Sequence, residues 1–440
     1  MTQAEEKKNP ASELRPTQGI QGMLRSLRHR NFQLFFSGQM ISLIGTWMQN
    51  IAQAWLVYRL TGSSLLLGLV GFAGQIPVFL FAPLGGMVAD RWNRHRVIIG
   101  TQTTAMILAF ILAALTLLHI VRVWEIVLLA SLLGAVNAFD IPARQAFLID
   151  MVGREDLMNA IALNSSMFNG ARVIGPAIAG LLVAWIGEGW CFFANAVSYI
   201  AVIVGLLFMQ LGPLRRIVMK TSPLEHIAEG FRFVQSTAPI LALMLLIGVV
   251  SLVAVPYTVL MPIFADRILH GGARGLGILM GATGIGALLG ALTLATKHGV
   301  SGLGRWVGFS AMSFGASLIL FSFSKWFLVS MFMLVPVGYS MMLQMSSSNT
   351  LIQAMVPDEL RGRVMAVYTM MFMGMAPMGS LFAGTLADSI GAPWTVAIGG
   401  MGAVAGSILF LRKLPKLRFE ARQLIVKQGI GEPLEEIAAR

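Results

Sequence analysis

Three ionisable residues stand where such residues are seldom tolerated. Asp140, Arg144 and Arg172 all lie inside long apolar stretches of the chain. A charge in that setting is costly and is kept for pairing, substrate contact or proton movement. Asp140 and Arg144 are four residues apart, so on a helix they share a face and suit an ion pair. Pro142 between them removes a backbone donor, and the carbonyl it frees is one that such a pair can help to satisfy. Two roles are open for Asp140: a structural lock with Arg144, or a proton carrier, for which it is the best-placed acid. Arg172 has no acid near it in sequence. It is expected to face a cavity and to hold either an anionic group of a substrate or a carboxylate from another helix.

Neutral polar residues add to this set. Gln39, Ser42, Thr46, Gln49, Asn50 and Gln53 fall on one helical face. A polar stripe among apolar residues lines water or substrate, or else bonds a neighbouring helix. Asn164, Asn169, Tyr257, Gln344, Asn349, Gln353 and Tyr368 are further cavity candidates, with Arg144 beside them. Met370, Met371, Met373, Met375 and Met378 cluster in one apolar segment. Their flexible thioethers suit a pocket for varied apolar ligands, although packing alone explains most methionines. Other chemistries lack their residues. The single cysteine, Cys191, gives neither a disulfide framework nor a thiolate cluster, and the six histidines show no metal-ligand spacing. No Gly-Lys dipeptide occurs, so no phosphate-binding loop for ATP is expected. The glycine clusters at 275–281, 284–290 and 400–406 suit close helix packing better than a nucleotide.

The elements that must position these side chains are set by composition. Hydrophobic residues make up 56 % of the 440 residues, charged residues 12 %, and the mean hydropathy is +0.75. Soluble domains carry about 25 % charged residues, so lipid is the solvent for most of this chain. Twelve segments are long and apolar enough to span a bilayer: 32–57, 65–89, 97–119, 124–148, 158–186, 190–211, 238–265, 275–296, 306–323, 326–354, 364–387 and 392–411. Residues 1–31 show no cleavable apolar leader, so the first span is expected to stay as an anchor.

Charge placement orients the spans. With the N-terminus in the cytoplasm, 26 of the 32 Lys and Arg fall on the cytoplasmic side, five on the outer side, and Arg172 within the membrane. That bias predicts a bacterial inner-membrane protein with both termini cytoplasmic. It also accounts for the net charge of +12 without nucleic acid. The longest connection, 212–237, reads as a surface helix with Ser222 and Glu225 as a capping box and Leu224, Ile227, Phe231 and Val234 at helical spacing.

The two halves repeat. Gly134, Val152 and Gly180 recur as Gly338, Val356 and Gly384, each 204 residues later. Both stretches pair a span with a second one that carries a mid-span proline, Pro176 or Pro377. The expected organisation is an N-terminal tail (1–31), a six-helix half (32–211), a linker (212–237), a second half (238–411) and a C-terminal tail (412–440). Such a repeat fits a transporter with a central site between halves.

The loop Gly86-Met-Val-Ala-Asp90-Arg91-Trp92-Asn93-Arg94-His95-Arg96 resembles the signature loop of the major facilitator superfamily. Asn93 replaces a usual glycine, a change tolerable if a left-handed backbone is needed. Pro77 stands where the longer pattern has a glycine, and the counterpart loop 297–305 has lost the acid. The resemblance implies that Asp90 holds the eleventh span and that Arg94 pairs with Asp150, forming a cytoplasmic gate. The fifth span carries Gly175, Pro176 and Gly180, which partly match the superfamily's antiporter motif and imply export. Asn137-Ala-Phe-Asp140-Ile-Pro142-Ala-Arg144, Arg30-Asn31-Phe32 and Asp358-Glu359-Leu360-Arg361 are similar to the enterobactin-exporter-like branch of drug and siderophore exporters. The expectation is thus an all-α membrane transporter of twelve spans in two pseudo-symmetric halves, not an enzyme. It would work as a monomer with no cofactor and no ATPase subunit, exporting an amphipathic small molecule by proton antiport. An importer or facilitator of the same fold is the alternative, and a membrane enzyme or scaffold is the distant third.

Overall fold

The computed structural model describes residues 24–210, 223–297 and 299–428. A short 3-10 turn, Arg25–Arg28, leads into the first half: α1 (Arg30–Thr61), α2 (Ser64–Arg91), α3 (Arg94–Leu117), α4 (Val123–Val152), α5 (Leu157–Ile186) and α6 (Glu188–Leu207). The linker helix is α7 (Pro223–Ser236). The second half follows: α8 (Ala238–Ile268), α9 (Gly272–Ala295), α10 (Leu303–Ser322), α11 (Phe327–Met355), α12 (Asp358–Ile390) and α13 (Ala392–Lys427). Ser222 of the expected capping box and the side chain of Glu225 lie outside the described residues.

Local chemistry sets the boundaries. Gly62, at φ +60°, ends α1 in a left-handed turn, where a Cβ would also meet the Arg267 guanidinium. Ser63 then caps α2 by accepting from the Leu66 N–H at 3.3 Å. Asn93 is not left-handed. Its φ is −69°, and its side chain caps α3 by accepting from the Arg96 N–H at 3.2 Å. The asparagine is thus there for its oxygen, which a glycine lacks.

Eleven of the helices among the described residues are long and apolar enough to cross a membrane. The exception among the twelve expected spans is α1, which has 32 residues but too little apolar character. The polar stripe from Gln39 to Gln53 lowers its hydropathy, so α1 depends on its neighbours for burial. Large apolar side chains such as Trp185, Leu207, Leu328 and Phe332 are exposed, as side chains facing lipid must be.

Helix packing follows the repeat. The pairs α1–α6, α2–α4, α3–α6 and α1–α5 of the first half have counterparts α8–α13, α9–α11, α10–α13 and α8–α12 in the second. The repeated glycines explain why. Gly134 of α4 meets the Gly74 carbonyl of α2, and Gly338 of α11 meets the Thr283 carbonyl of α9, so neither position has room for a Cβ. Gly180 of α5 lies on Gly277 of α9, and Gly384 of α12 lies on Gly68 of α2. These two glycine-on-glycine crossings join the halves. Small residues let helix backbones approach in lipid, where van der Waals contact is the main attraction.

Two elements differ from the expected ones. The seventh span is interrupted by π-helical turns at Val250–Ala254 and Phe264–Ile268. Pro256 and Pro262 cannot donate to the helical ladder, and the register slides around them. The last helix runs past the expected end at 411 to Lys427. It is 36 residues long, or about 54 Å at 1.5 Å per residue, well beyond the roughly 30 Å apolar core of a bilayer.

Candidate functional site

Both ends of the chain's helical bundle, the start of α1 and the end of α13, lie together with α7 and the Asp90 loop; we call this the termini end, and the opposite one the far end. At the termini end, Arg94 is a staple. Its Nε donates to the Ala89 carbonyl at 3.1 Å, and its Nη1 donates to the Ala146 carbonyl at 3.1 Å and to Asp150 Oδ2 at 3.1 Å. One guanidinium thus ties the end of α2, the start of α3 and the end of α4, a geometry that suits its fork of donors.

Asp90 is exposed and forms no hydrogen bond or ion pair among the described residues. It does not hold α12, whose first acid, Asp358, pairs with its own Arg361. The physical reason lies in where α2 and α12 touch: Gly68 on Gly384 and Gly71 on Ser380, early in α2 and late in α12, toward the far end. Arg91 is also exposed. Gly86 is not a packing glycine, since a Cβ there would meet nothing. The close approach is made by Gly85, against the Ala138 carbonyl of α4. That carbonyl is the one to which Pro142 cannot donate, so Gly85 covers it and the Asp140–Arg144 pair does not.

At the far end the two halves are in contact. The Tyr58 hydroxyl of α1 donates to Asp266 Oδ2 of α8 at 2.8 Å, and Arg267 lies over the Tyr58 ring at 5.7 Å. Arg59 binds Glu188 through Nε at 2.8 Å. Sequence reading counted Arg59 and Arg267 only as exceptions to the charge bias. That was the missed signal: both of these cations have a local partner, Glu188 for Arg59 and the Tyr58 ring for Arg267.

Asp140 is buried, and three groups surround it. Arg144 Nε lies 2.8 Å from Oδ2, while the Thr101 hydroxyl and the Gln102 amide donate to Oδ1 at 2.8 and 2.9 Å. Thr101 and Gln102 belong to α3, so the pair bolts α4 to α3. Arg144 is therefore engaged by Asp140. Gln49 is committed as well: it accepts from Asn195 of α6 at 2.7 Å, which makes it inter-helix glue.

The centre of the bundle holds Arg172. Its guanidinium lies 5.8 Å from the Trp47 ring of α1, and its Nη2 faces the Met341 sulfur of α11 at 3.8 Å. Tyr257 of α8, just past the first π-helical turn, is its electrostatic neighbour. No carboxylate pairs with it among the described residues. Four helices, two from each half, thus converge on one uncompensated cation. Polar atoms of α1, α8 and α11 are also unspent. The Tyr257 hydroxyl, beside Thr283, makes no well-formed hydrogen bond, and Gln39 Oε1 and Gln344 Oε1 are buried without partners. Thr46 donates to the Ser42 carbonyl at 2.9 Å. Asn50 is exposed, Gln53 and Asn169 are half-buried, Asn349 accepts from Gln353, and the Tyr368 hydroxyl donates to the Met345 carbonyl at 3.3 Å. Trp47 and Met341 were not in the sequence reading, because neither carries a charge or a motif. Gly175 sits against Trp47 and Ile44 of α1, so the Gly175-Pro176-Gly180 run wedges α5 between α1 and α9.

Comparison with known proteins decides what this architecture is. The transmembrane secretion effector family of the major facilitator superfamily matches residues 21–439. The chain belongs to that family. Among its relatives, the staphyloferrin A transporter of Staphylococcus aureus (strain NCTC 8325 / PS 47) is 28 % identical over 393 residues, covering 88 % of this chain and 97 % of the relative. The enterobactin exporter EntS of Shigella boydii serotype 4 (strain Sb227) is 26 % identical over 391 residues, covering 89 % and 93 %. The multidrug efflux pump Tap of Mycolicibacterium fortuitum is 27 % identical over 362 residues, covering 78 % and 85 %. In fold, the chain resembles the nucleoside transporter NupG, with a TM-score of 0.67 at 14 % identity, covering 88 % of this chain and 98 % of NupG. It also resembles a bacterial homologue of the human lysosomal transporter Spinster, with a TM-score of 0.64 at 16 % identity, covering 92 % and 98 %. This secretion effector is a multi-pass membrane transporter and not an enzyme, with Arg172 at the meeting point of its two halves.

Proposed function

We propose that the protein exports an anionic amphipathic small molecule, siderophore-like or drug-like, from the cytoplasm of a bacterium. Uncompensated Arg172 between the halves carries this reading. A guanidinium held away from water costs several kcal/mol. A ligand carboxylate or other anion offsets that cost, while Trp47, Met341 and Tyr257 receive the apolar remainder. The names of the relatives, which include siderophore and multidrug transporters, support the substrate class. The Gly175-Pro176-Gly180 run supports export over import.

The mechanism is alternating access between the halves, 32–211 and 238–411. The 26-to-5 charge bias supports a termini end in the cytoplasm, with the protein in the inner membrane. The state described here then has its outer gate closed by Tyr58, Asp266 and Arg267. Asp90 is the free half of the cytoplasmic gate. As an acid in the last turn of α2 it opposes the helix dipole, and the start of α12 is a better environment for it. When the halves close, Asp90 caps α12 while Arg94 and Asp150 keep the loop in shape. Export draws on the proton gradient and needs neither a cofactor nor an ATPase subunit, and one chain suffices. Asp140 is the coupling acid: its protonation frees Arg144 and loosens α4 from α3.

Transport by the purified protein in liposomes tests this. Inside-out vesicles should accumulate anionic amphiphiles, and substrate should release protons from the wild type but not from Asp140→Asn. Arg172→Gln should lower transport of anionic cargo about tenfold or more, the worth of a charged hydrogen bond, relative to neutral cargo. Accumulation only in right-side-out vesicles would make the protein an importer. Equal proton release from Asp140→Asn would remove Asp140 as carrier.

A further inference from the structure

A cavity lies far from Arg172, at the termini end of the second half. It measures about 370 Å³ and is walled by the part of α13 that exceeds a membrane span, by α8 and α11, and by the start of α10 with the segment before it. Leu414, Leu417 and Ile425 of α13 face into it along one helical stripe. Arg305, Arg418 and Arg422 stand in the same wall, and no carboxylate lines it. None of the three arginines takes part in an ion pair among the described residues. Arg305 and Arg418 are exposed and Arg422 is half-buried; Arg412, Lys413 and Lys416 of α13 are exposed too but do not line the cavity. Three guanidinium groups with no ion pair among the described residues, over an apolar floor, are complementary to an anion that carries a hydrocarbon chain.

We infer that this cavity binds an anionic amphiphile, a phosphate-type headgroup on Arg305, Arg418 and Arg422 with an acyl chain along Leu414, Leu417 and Ile425. The ligand is an anionic phospholipid of the leaflet that meets the termini end, the cytoplasmic one in the orientation proposed above. Basic pockets between helices at that depth suit lipid headgroups. Bound there, the lipid pins the extension of α13 to α8 and α11 and stabilises the second half.

The test uses the full chain, purified in neutral detergent. Its thermal unfolding midpoint is followed against phosphatidylglycerol, phosphatidylcholine and inorganic phosphate. Phosphatidylglycerol should raise the midpoint saturably, and the other two should leave it in place. The concentration needed should rise about tenfold in Arg418→Gln/Arg422→Gln and also in Arg305→Gln, which alters a different element. Lys413→Gln/Lys416→Gln should respond as the wild type does. The midpoint of each variant without lipid reports whether it is folded. An equal shift with phosphatidylcholine would remove the arginines' role and overturn the proposal. An equal shift with inorganic phosphate would do the same to the apolar floor. Equal loss in the lysine pair would reduce the effect to surface electrostatics and overturn it too. None of these readouts depends on transport, so the proposal stands or falls apart from the export reading.

Discussion

At the residue scale, two half-buried arginines have opposite situations. Arg144 has a carboxylate at 2.8 Å, and Arg172 has none. The difference predicts opposite consequences of removal. Arg144→Leu leaves Asp140 as a buried, uncompensated charge, which costs about 3–5 kcal/mol when one partner of a buried pair is lost. Asp140→Asn/Arg144→Leu removes both charges and should recover much of that loss. The comparison is read from unfolding midpoints in detergent, and a double variant no more stable than Arg144→Leu would refute the lock. The i,i+4 spacing made this pair legible in the sequence. Its partners Thr101 and Gln102 were not, because they come from another helix and carry no charge.

At the element scale, the glycines sort by what they touch. Gly180 meets the Gly277 backbone, with a Cβ falling 2.6 Å from its Cα, whereas Gly86 faces open space. Gly180→Leu should therefore destabilise the protein by about 1–3 kcal/mol or block its transport cycle, as overpacking of a tight contact does. Gly86→Ala should be nearly silent in this state. Folded yield and transport measured side by side would check both, and a silent Gly180→Leu would show that the α5–α9 crossing tolerates separation. The signature loop pointed at Gly86, but the contact is made one residue earlier. A spacing pattern identifies a helix face less sharply than a backbone carbonyl that approaches it. The π-helical turns of α8 were invisible for a related reason. The prolines could be read, but the direction in which the helix absorbs their missing donors depends on the helices packed around it.

At the scale of the whole molecule, the halves touch toward the far end and leave Asp90 free at the other. Gly71→Cys/Ser380→Cys joins α2 to α12 where a Cβ on Gly71 would lie 3.3 Å from the Ser380 Cβ, close to disulfide spacing. Formation of that cross-link should abolish transport while cargo still binds from the termini end, and reduction should restore transport. Cys191 is buried and does not compete. Transport that continues with the cross-link intact would mean that the α2–α12 crossing need not open. Tyr58→Phe should act the other way. Without the hydroxyl on Asp266 the far end opens more readily, which labelling of a cysteine placed beside Gly62 would register as faster modification.

The sequence by itself determined the helices, the two halves and the superfamily. Apolar length, charge bias and the 204-residue recurrence of Gly134, Val152 and Gly180 are local or periodic facts, and lipid leaves a chain few other ways to satisfy its backbone. Only the tertiary structure decided which polar groups were spent and which remained free. Gln49, Arg144 and Arg172 read alike along the chain, as polar residues in apolar surroundings. Gln49 found Asn195, Arg144 found Asp140, and Arg172 found an aromatic ring and a thioether. A partner's identity is a property of two helices at once, and no pattern along one helix contains it.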